Sequence, residues 1–145
     1  MRPRLLASHL PILILPFLTL AGDQPPARVR ESELSRSPLF VGSLKITIQS
    51  IRGRSSLYIS SSVEVQTENT STVFTIFSPH RLSFVDGENR QIDVLAIARQ
   101  GGDIAAVERR IAPGAHINET YALNGKVHLP ARLYYDEKLV AVIAD

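Results

Sequence analysis

From Ser43 onward the apolar residues of this chain recur at every second position, and no segment shows a sustained period of 3.6. A period of two is the alternation of a strand with one face buried and the other solvated. Leu44, Ile46 and Ile48 share one face of a first strand over 44–49. Arg52-Gly53-Arg54-Ser55 reads as a turn. In the next strand Leu57, Ile59, Val63, Val65 and Thr67 face one way, and Tyr58, Ser60, Ser62, Glu64, Gln66 and Glu68 the other. Ser61 falls on the apolar side, which predicts a bulge there or a strand crossing near an edge.

Further strands are expected over 73–77, 81–85, 91–98, 107–111, 117–123, 132–135 and 139–143. Ile92, Val94, Ala96 and Ala98 are expected on one side of the 91–98 strand. Between the strands lie turn-formers: Asn69-Thr70-Ser71-Thr72, Asp86-Gly87-Glu88-Asn89, Gly101-Gly102-Asp103, Ala112-Pro113-Gly114 and Asn124-Gly125. Asp-Gly and Asn-Gly are hairpin dipeptides, with Gly87 expected to take the positive φ of its turn. Seven to nine short strands at regular spacing predict an all-β domain, an antiparallel immunoglobulin-like β-sandwich of two sheets. A closed barrel is the alternative.

The chain has 145 residues, one domain's worth, and no Cys, which excludes disulfides, thiolate nucleophiles and Cys-ligated zinc. Its first residues, Met1-Arg2-Pro3-Arg4, precede an apolar run from Leu10 to Leu20, and Thr19-Leu20-Ala21 supplies small residues before a cut after Ala21. A positive start, an apolar stretch and a small-x-small exit define a secretory signal peptide. As a membrane anchor the run is too short, since a span needs about 20 apolar residues, and Pro11 and Pro16 interrupt it.

Residues 1–21 are therefore expected to be a signal peptide, 22–42 a linker and 43–145 the folded domain, periplasmic or secreted. Within the linker, Val29, Leu34 and Leu39 could form a short helix or an added edge segment. Cleavage removes Arg2 and Arg4, leaving 14 basic residues of the original 16 against 14 acidic ones. The formal charge of +2 belongs to the leader, and with it the electrostatic reason to expect nucleic acid.

Several of these segments together resemble a known group. They are the strand ending in Asn69-Thr70-Ser71 after Val63-Glu64-Val65, then Arg81-Leu82-Ser83-Phe84-Val85-Asp86-Gly87, then Arg110-Ile111-Ala112-Pro113-Gly114. Leu129-Pro130 followed by Leu133-Tyr134-Tyr135 completes the pattern. The chain is similar here to the secreted bacterial immunoglobulin-like domains of unknown function, the group that includes a small secreted mycobacterial antigen. The likeness covers roughly residues 57–143 and rests on turn chemistry. It implies the sandwich fold and carries over no catalytic residue. Stress-related sandwich domains show a weaker likeness.

His80, His116 and His128 lack the spacing of a zinc site, and three separate imidazoles are expected. No G-x-S-x-G elbow accompanies Ser55, Ser56, Ser60, Ser61 and Ser62, which fit a polar strand face. Asp86-Gly87-Glu88-Asn89 is too short for a calcium loop and suffices as a hairpin. Asn69-Thr70-Ser71 and Asn118-Glu119-Thr120 match glycosylation acceptors, but the bacterial resemblance leaves Asn69 a turn residue bonding nearby backbone.

Arg81, Arg90, Arg99, Arg109 and Arg110 are interleaved with Glu88, Asp93, Asp103 and Glu108, the pattern of a salt-bridged surface. Tyr134 and Tyr135 point to opposite faces of one strand, so one of them is expected in the core.

No metal, cofactor or catalytic residue is expected. The expected function is an exported, non-enzymatic module that binds or scaffolds a protein or envelope partner, by strand addition at an edge or through loops. The loop candidates are Asp86, Glu88, Asn89, Gln100, Asp103, Asp136 and Lys138. An envelope-acting hydrolase assembled from His and carboxylate side chains is the second reading. A structural or stress-related protein without a dedicated ligand is the third.

Overall fold

The computed structural model describes residues 25–53 and 61–145. The expected signal peptide, Arg54 and Ser55 of the expected turn, and residues 57–60 of the expected second strand lie outside the described residues.

The described chain is mostly β. Its strands are β1 (Ala27–Arg30), β2 (Leu39–Val41), β3 (Leu44–Gly53), β4 (Ser61–Asn69), β5 (Thr75–Phe77), β6 (Leu82–Val85), β7 (Gln91–Ile97), β8 (Ile104–Ala105), β9 (Arg109–Ile111), β10 (His116–Leu123), β11 (Ala131–Tyr135) and β12 (Lys138–Ala144). Short 3-10 turns cover Glu31–Arg36 and Pro79–Arg81. Ten strands form one sheet in the order β1-β12-β11-β6-β7-β10-β4-β3-β2, with β8 beside β7, and β5 and β9 form a separate ribbon. The large sheet bends into a nearly closed, barrel-like arrangement, and β12 also touches β2 near the opposite end of the strand order.

Strand parity follows the sequence where pairing is regular. On β4, Val63, Val65 and Thr67 are buried while Glu64, Gln66 and Glu68 are half-buried. On β6, Leu82 and Phe84 point inward, beside Tyr135 and Leu133 of β11, with Ile92 of β7 also beside Phe84. Tyr135 is buried and Tyr134 half-buried, as the alternation requires.

Parity fails at bulges. Leu123 pairs with Val94 and Ala122 with Ala96, so Leu95 has no partner on β10. Beyond it the inward set flips: Ile97 is buried instead of Ala96, and Leu95 stands 49% exposed. This is where β7 changes partners, since Gln91–Asp93 pair with β6 and Val94–Ile97 with β10. The bulge expected at Ser61 lies instead at Gln49 of β3, where Ile48 pairs with Val65 and Ser50 with Glu64. Ser61 is buried for a different reason: its hydroxyl donates to the Gly125 carbonyl.

Three further expectations are corrected. Arg52 and Gly53 continue β3, paired with Ser62 and Ser61. Asn124-Gly125 does not close a hairpin, because β11 pairs with β6 and β12 and not with β10. Asn124 instead caps β7, its side-chain oxygen accepting the Asp93 N–H at 2.9 Å.

The third concerns the segment expected as a linker: from Ala27 it supplies both end strands of the sheet and a 3-10 turn at Leu34, the added edge segment and short helix that the reading of Val29, Leu34 and Leu39 allowed. β1 runs parallel to β12, with Val29 opposite Ile143, and β2 pairs antiparallel with β3. Leu34, on the 3-10 turn between them, is buried in the core with Val29 and Leu39. Each such burial contributes about 1.5–3 kcal/mol. That apolar gain outweighs the poor packing of the polar residues around it.

Candidate functional site

Three of the expected loop residues, Asp86, Glu88 and Asn89, lie on the turn between β6 and β7, and they behave differently. The Asp86 side chain is fully buried. It accepts the Glu88 N–H at 2.9 Å, the Arg90 N–H at 3.0 Å and the Arg90 guanidinium at 3.2 and 3.0 Å. Burial alone would raise its carboxyl, but the Arg90 bonds and charge together with the Glu88 N–H outweigh that and hold it down to about 2. Asp86 therefore shapes the turn and offers nothing outward.

The positive φ of this turn belongs to Asn89, at 60°, and not to Gly87. Gly87 is required for a close approach: a Cβ there would meet the carbonyl oxygens of His128, Leu129 and Pro130 at 3.2–3.3 Å. Its N–H donates to the His128 carbonyl at 2.7 Å. Glu88 and Asn89 are exposed.

Gln100, Asp103 and Asp136 are exposed and Lys138 is half-buried. They do not join the 86–90 turn in one surface. The pairing of Val85 with Arg132 and of Leu82 with Tyr135 puts that turn at one end of β6 and the Asp136-Glu137 turn at the other. β7 runs away from the first turn, so the loop after Ile97 also lies toward the second end.

The histidines stand on separate supports. His80 holds the Ala106 carbonyl at 2.6 Å, His116 is exposed opposite Glu68, and His128 lies 4.0 Å from Glu88. No group of three His, Asp or Glu side chains among the described residues is placed to hold a metal ion. Among the described residues, three of the five interleaved arginines form ion pairs: Arg81 with Asp136, Arg90 with Asp86 and Glu88, Arg109 with Glu119.

Asn69, expected as a turn residue, is fully buried and ties three segments together. Its amide donates to the carbonyls of Val73 at 2.6 Å and Ile111 at 3.0 Å. Its oxygen accepts from the Ser71 N–H at 2.9 Å, the Ser71 hydroxyl at 2.7 Å and the Thr75 hydroxyl at 3.2 Å. Gly114 N–H donates to its carbonyl and its own N–H donates to Ala115. These bonds hold the β5–β9 ribbon against the main sheet.

The inner face of the ribbon is densely packed. Phe77 stacks on Tyr135 at 5.7 Å between ring centres and tilts against Tyr121 at 6.3 Å. Beneath it the Tyr121 hydroxyl donates to Glu119 at 2.8 Å, and Glu119 accepts Arg109 at 3.1 Å. Burial and then the Glu119 carboxylate push the Tyr121 hydroxyl far above the usual phenol range. Burial likewise raises Tyr135, whose oxygen accepts the Ser78 N–H at 3.2 Å.

The outer face is the surface that the sequence reading missed. Val73, Phe74 and Ile76 are 65%, 53% and 55% exposed. Arg110 pairs with Ile76 across the ribbon and lays its guanidinium on the Phe74 ring, 4.0 Å from its centre. Among the described residues Arg110 forms no ion pair. The signal was present in Val73-Phe74-Thr75-Ile76-Phe77, which is apolar on both faces where most strands of this chain alternate. A strand with one covered face needs no second apolar side for folding.

No helix among the described residues is long and apolar enough to cross a membrane. Comparison with protein-family models, curated proteins and solved structures finds no match to this chain.

Proposed function

We propose that this protein is an exported, non-enzymatic module that binds a protein partner through the outer face of the β5–β9 ribbon. The observation that carries this reading is the pair of exposed side chains Phe74 and Ile76 with the Arg110 guanidinium on the Phe74 ring. Aromatic and arginine side chains dominate the energetics of protein interfaces. Neighbouring exposed apolar side chains of this kind mark an interaction site. The partner's chemistry follows from the patch: apolar side chains over Phe74 and Ile76, and a carboxylate or carbonyl for the Arg110 guanidinium.

Export rests on the leader-like residues 1–21. The non-enzymatic reading is supported by where the reactive-looking groups are spent. Asp86, Glu119, Asn69 and His80 all bond to neighbours that define turns or strands.

For the fold, the finer reading is an immunoglobulin-like sandwich whose two sheets share β7. Its support is the change of pairing partner at the Leu95 bulge, with β1, β12, β11 and β6 on one side and β10, β4, β3 and β2 on the other. Kinship with the secreted bacterial immunoglobulin-like domains rests on the turn residues quoted above.

The test is site-specific photo-crosslinking in the cell envelope of the native host. A crosslinker at Ile76 is expected to trap one defined protein that a crosslinker at exposed Glu88 does not, and Arg110→Ala is expected to reduce the yield. Equal labelling from both positions, or no protein trapped at Ile76, overturns the reading.

A further inference from the structure

A second surface has the geometry of a small-ligand site, on the outer face of β11, β6 and β7. Two cross-strand rows frame it, and all of their residues but Arg132 line it. Tyr134 sits beside Ser83, and Ser83 beside Asp93; one step along, Arg132 sits beside Val85, and Val85 beside Gln91. Paired residues of an antiparallel sheet project from the same face. Ser83 and Val85, on the central strand, are short, and their neighbours on both sides are long. The face is therefore low along β6 and raised along β7 and β11, which makes a trough of about 440 Å³. That is within the range of small-molecule sites, roughly 300–1,000 Å³.

The walls are held in place by their own bonds. The Gln91 amide donates to both Asp93 oxygens, at 3.1 and 3.3 Å. The Asp93 main chain is fixed by Asn124. Arg132 donates to the Tyr134 hydroxyl at 3.4 Å. At the end of the trough Arg81 lies 3.7 Å from Asp136. The trough offers a ligand the Tyr134 ring, a planar carboxylate–amide pair, a hydroxyl, the His80 imidazole, the Glu137 carboxylate and an ion pair that already neutralises itself.

We propose that this trough binds a neutral saccharide. The Tyr134 ring provides a flat apolar face for the C–H face of a pyranose. Asp93 accepts from vicinal hydroxyls, while Gln91 and Ser83 supply further partners of either sense. With Asp136 neutralised by Arg81, the carboxylates of Asp93 and Glu137 in the lining disfavour an anionic ligand such as a phosphate or a sulfated glycan. A purely apolar ligand would leave the Asp93–Gln91 wall desolvated without new partners. The site is separate from the β5–β9 face, so it stands whether or not that face binds a protein.

The experiment is an NMR titration of the purified protein with neutral oligosaccharides: chitohexaose, cellohexaose and maltohexaose at millimolar concentration. A sulfated oligosaccharide and a basic peptide form the other arms. At least one neutral saccharide is expected to shift the amides of Ser83, Val85, Asp93 and Tyr134. Loss of the ring in Tyr134→Ala is expected to weaken binding about tenfold, whereas Tyr134→Phe keeps it. Asp93→Asn removes the charge without changing shape and is expected to weaken it as well. Ser83→Trp fills the trough and abolishes binding, and each variant's fold is checked by its amide spectrum. Phe74→Ala, on the ribbon, leaves binding unchanged. Shifts confined to other faces, binding unaffected by Ser83→Trp, binding of the basic peptide or sulfated glycan alone, or no shift with any neutral saccharide overturns the proposal.

Discussion

The Asn69 amide on β4 donates to the main-chain carbonyl of Ile111 on β9 at 3.0 Å, wholly out of contact with solvent. Its second N–H takes the Val73 carbonyl, so one side chain closes the loop after β4 and seats the ribbon. Asn69→Asp keeps the shape and removes both donors. It takes its donor from the buried Ile111 carbonyl, at an expected cost of about 1–3 kcal/mol, while the Val73 carbonyl keeps the Ser71 hydroxyl. Urea unfolding measures this, and a midpoint equal to that of the wild type would show that the ribbon is held by apolar packing alone.

Thr67 presents the opposite case. Its hydroxyl is buried on β4 and has no hydrogen-bond partner. Valine has the same branched shape, suits a strand equally well and carries no polar atom to desolvate. Thr67→Val is expected to stabilise the protein by about 1 kcal/mol. The readout is the shift of the denaturation midpoint to higher urea at unchanged slope; a shift to lower urea would contradict it.

Leu34 tests whether the 27–41 segment belongs to the folded body. It is 2% exposed and packs with Val29, Leu39 and the β3 residues of the core. Leu34→Ala is expected to lose about 2–5 kcal/mol, the range for a buried leucine. A detachable linker would lose less than about 0.5 kcal/mol, the scale of surface substitutions. Thermal unfolding separates the two outcomes.

Asp86 makes stability depend on acid. Its carboxyl falls from an ordinary 3.8 to about 2 in the folded chain. A depressed folded value means that the unfolded chain takes up the proton first on acidification. The stabilisation from this group is therefore complete above pH 4 and is lost as the pH falls from 3.8 through about 2. Asp86→Asn, which has no charge to lose, should be less stable than the wild type at neutral pH. The gap between the two should narrow on descent through that window. Paired denaturation curves at descending pH test the sign, and a gap that widens in acid would refute it.

Much of the local structure was legible because it depends on side-chain alternation. Val63, Val65 and Thr67 on β4, Leu82 and Phe84 on β6, and the division of Tyr134 from Tyr135 all follow from a period of two. Asn69 was legible as a turn residue for a similar reason, since its short amide bonds its own neighbourhood. The reach of that amide to Ile111 was not, because a contact between distant segments leaves no local pattern.

The candidate surfaces were less legible still. The turn carrying Asp86 looks like an exposed acidic loop, yet an arginine four residues on folds the carboxylate inward. The 73–77 run was apolar on both faces, but only the placement of β5 over Tyr121 and Tyr135 decides which face is left open. The β11–β6–β7 trough depends on which residues stand beside Ser83, and that register joins three strands.

The sequence by itself determined that the chain is all-β, because alternation of apolar and polar residues acts within each strand. It also marked the bounds of β6, β7, β10, β11 and β12 to within a residue, because turn-formers act over a few residues. Only the tertiary structure decided that β1 lies parallel to β12, that β7 pairs with β6, β10 and β8, and that residues 27–41 complete the sheet. Those outcomes depend on which apolar edges can cover one another in three dimensions. Strands of equal local pattern are interchangeable until packing, bulges and loop lengths select one arrangement.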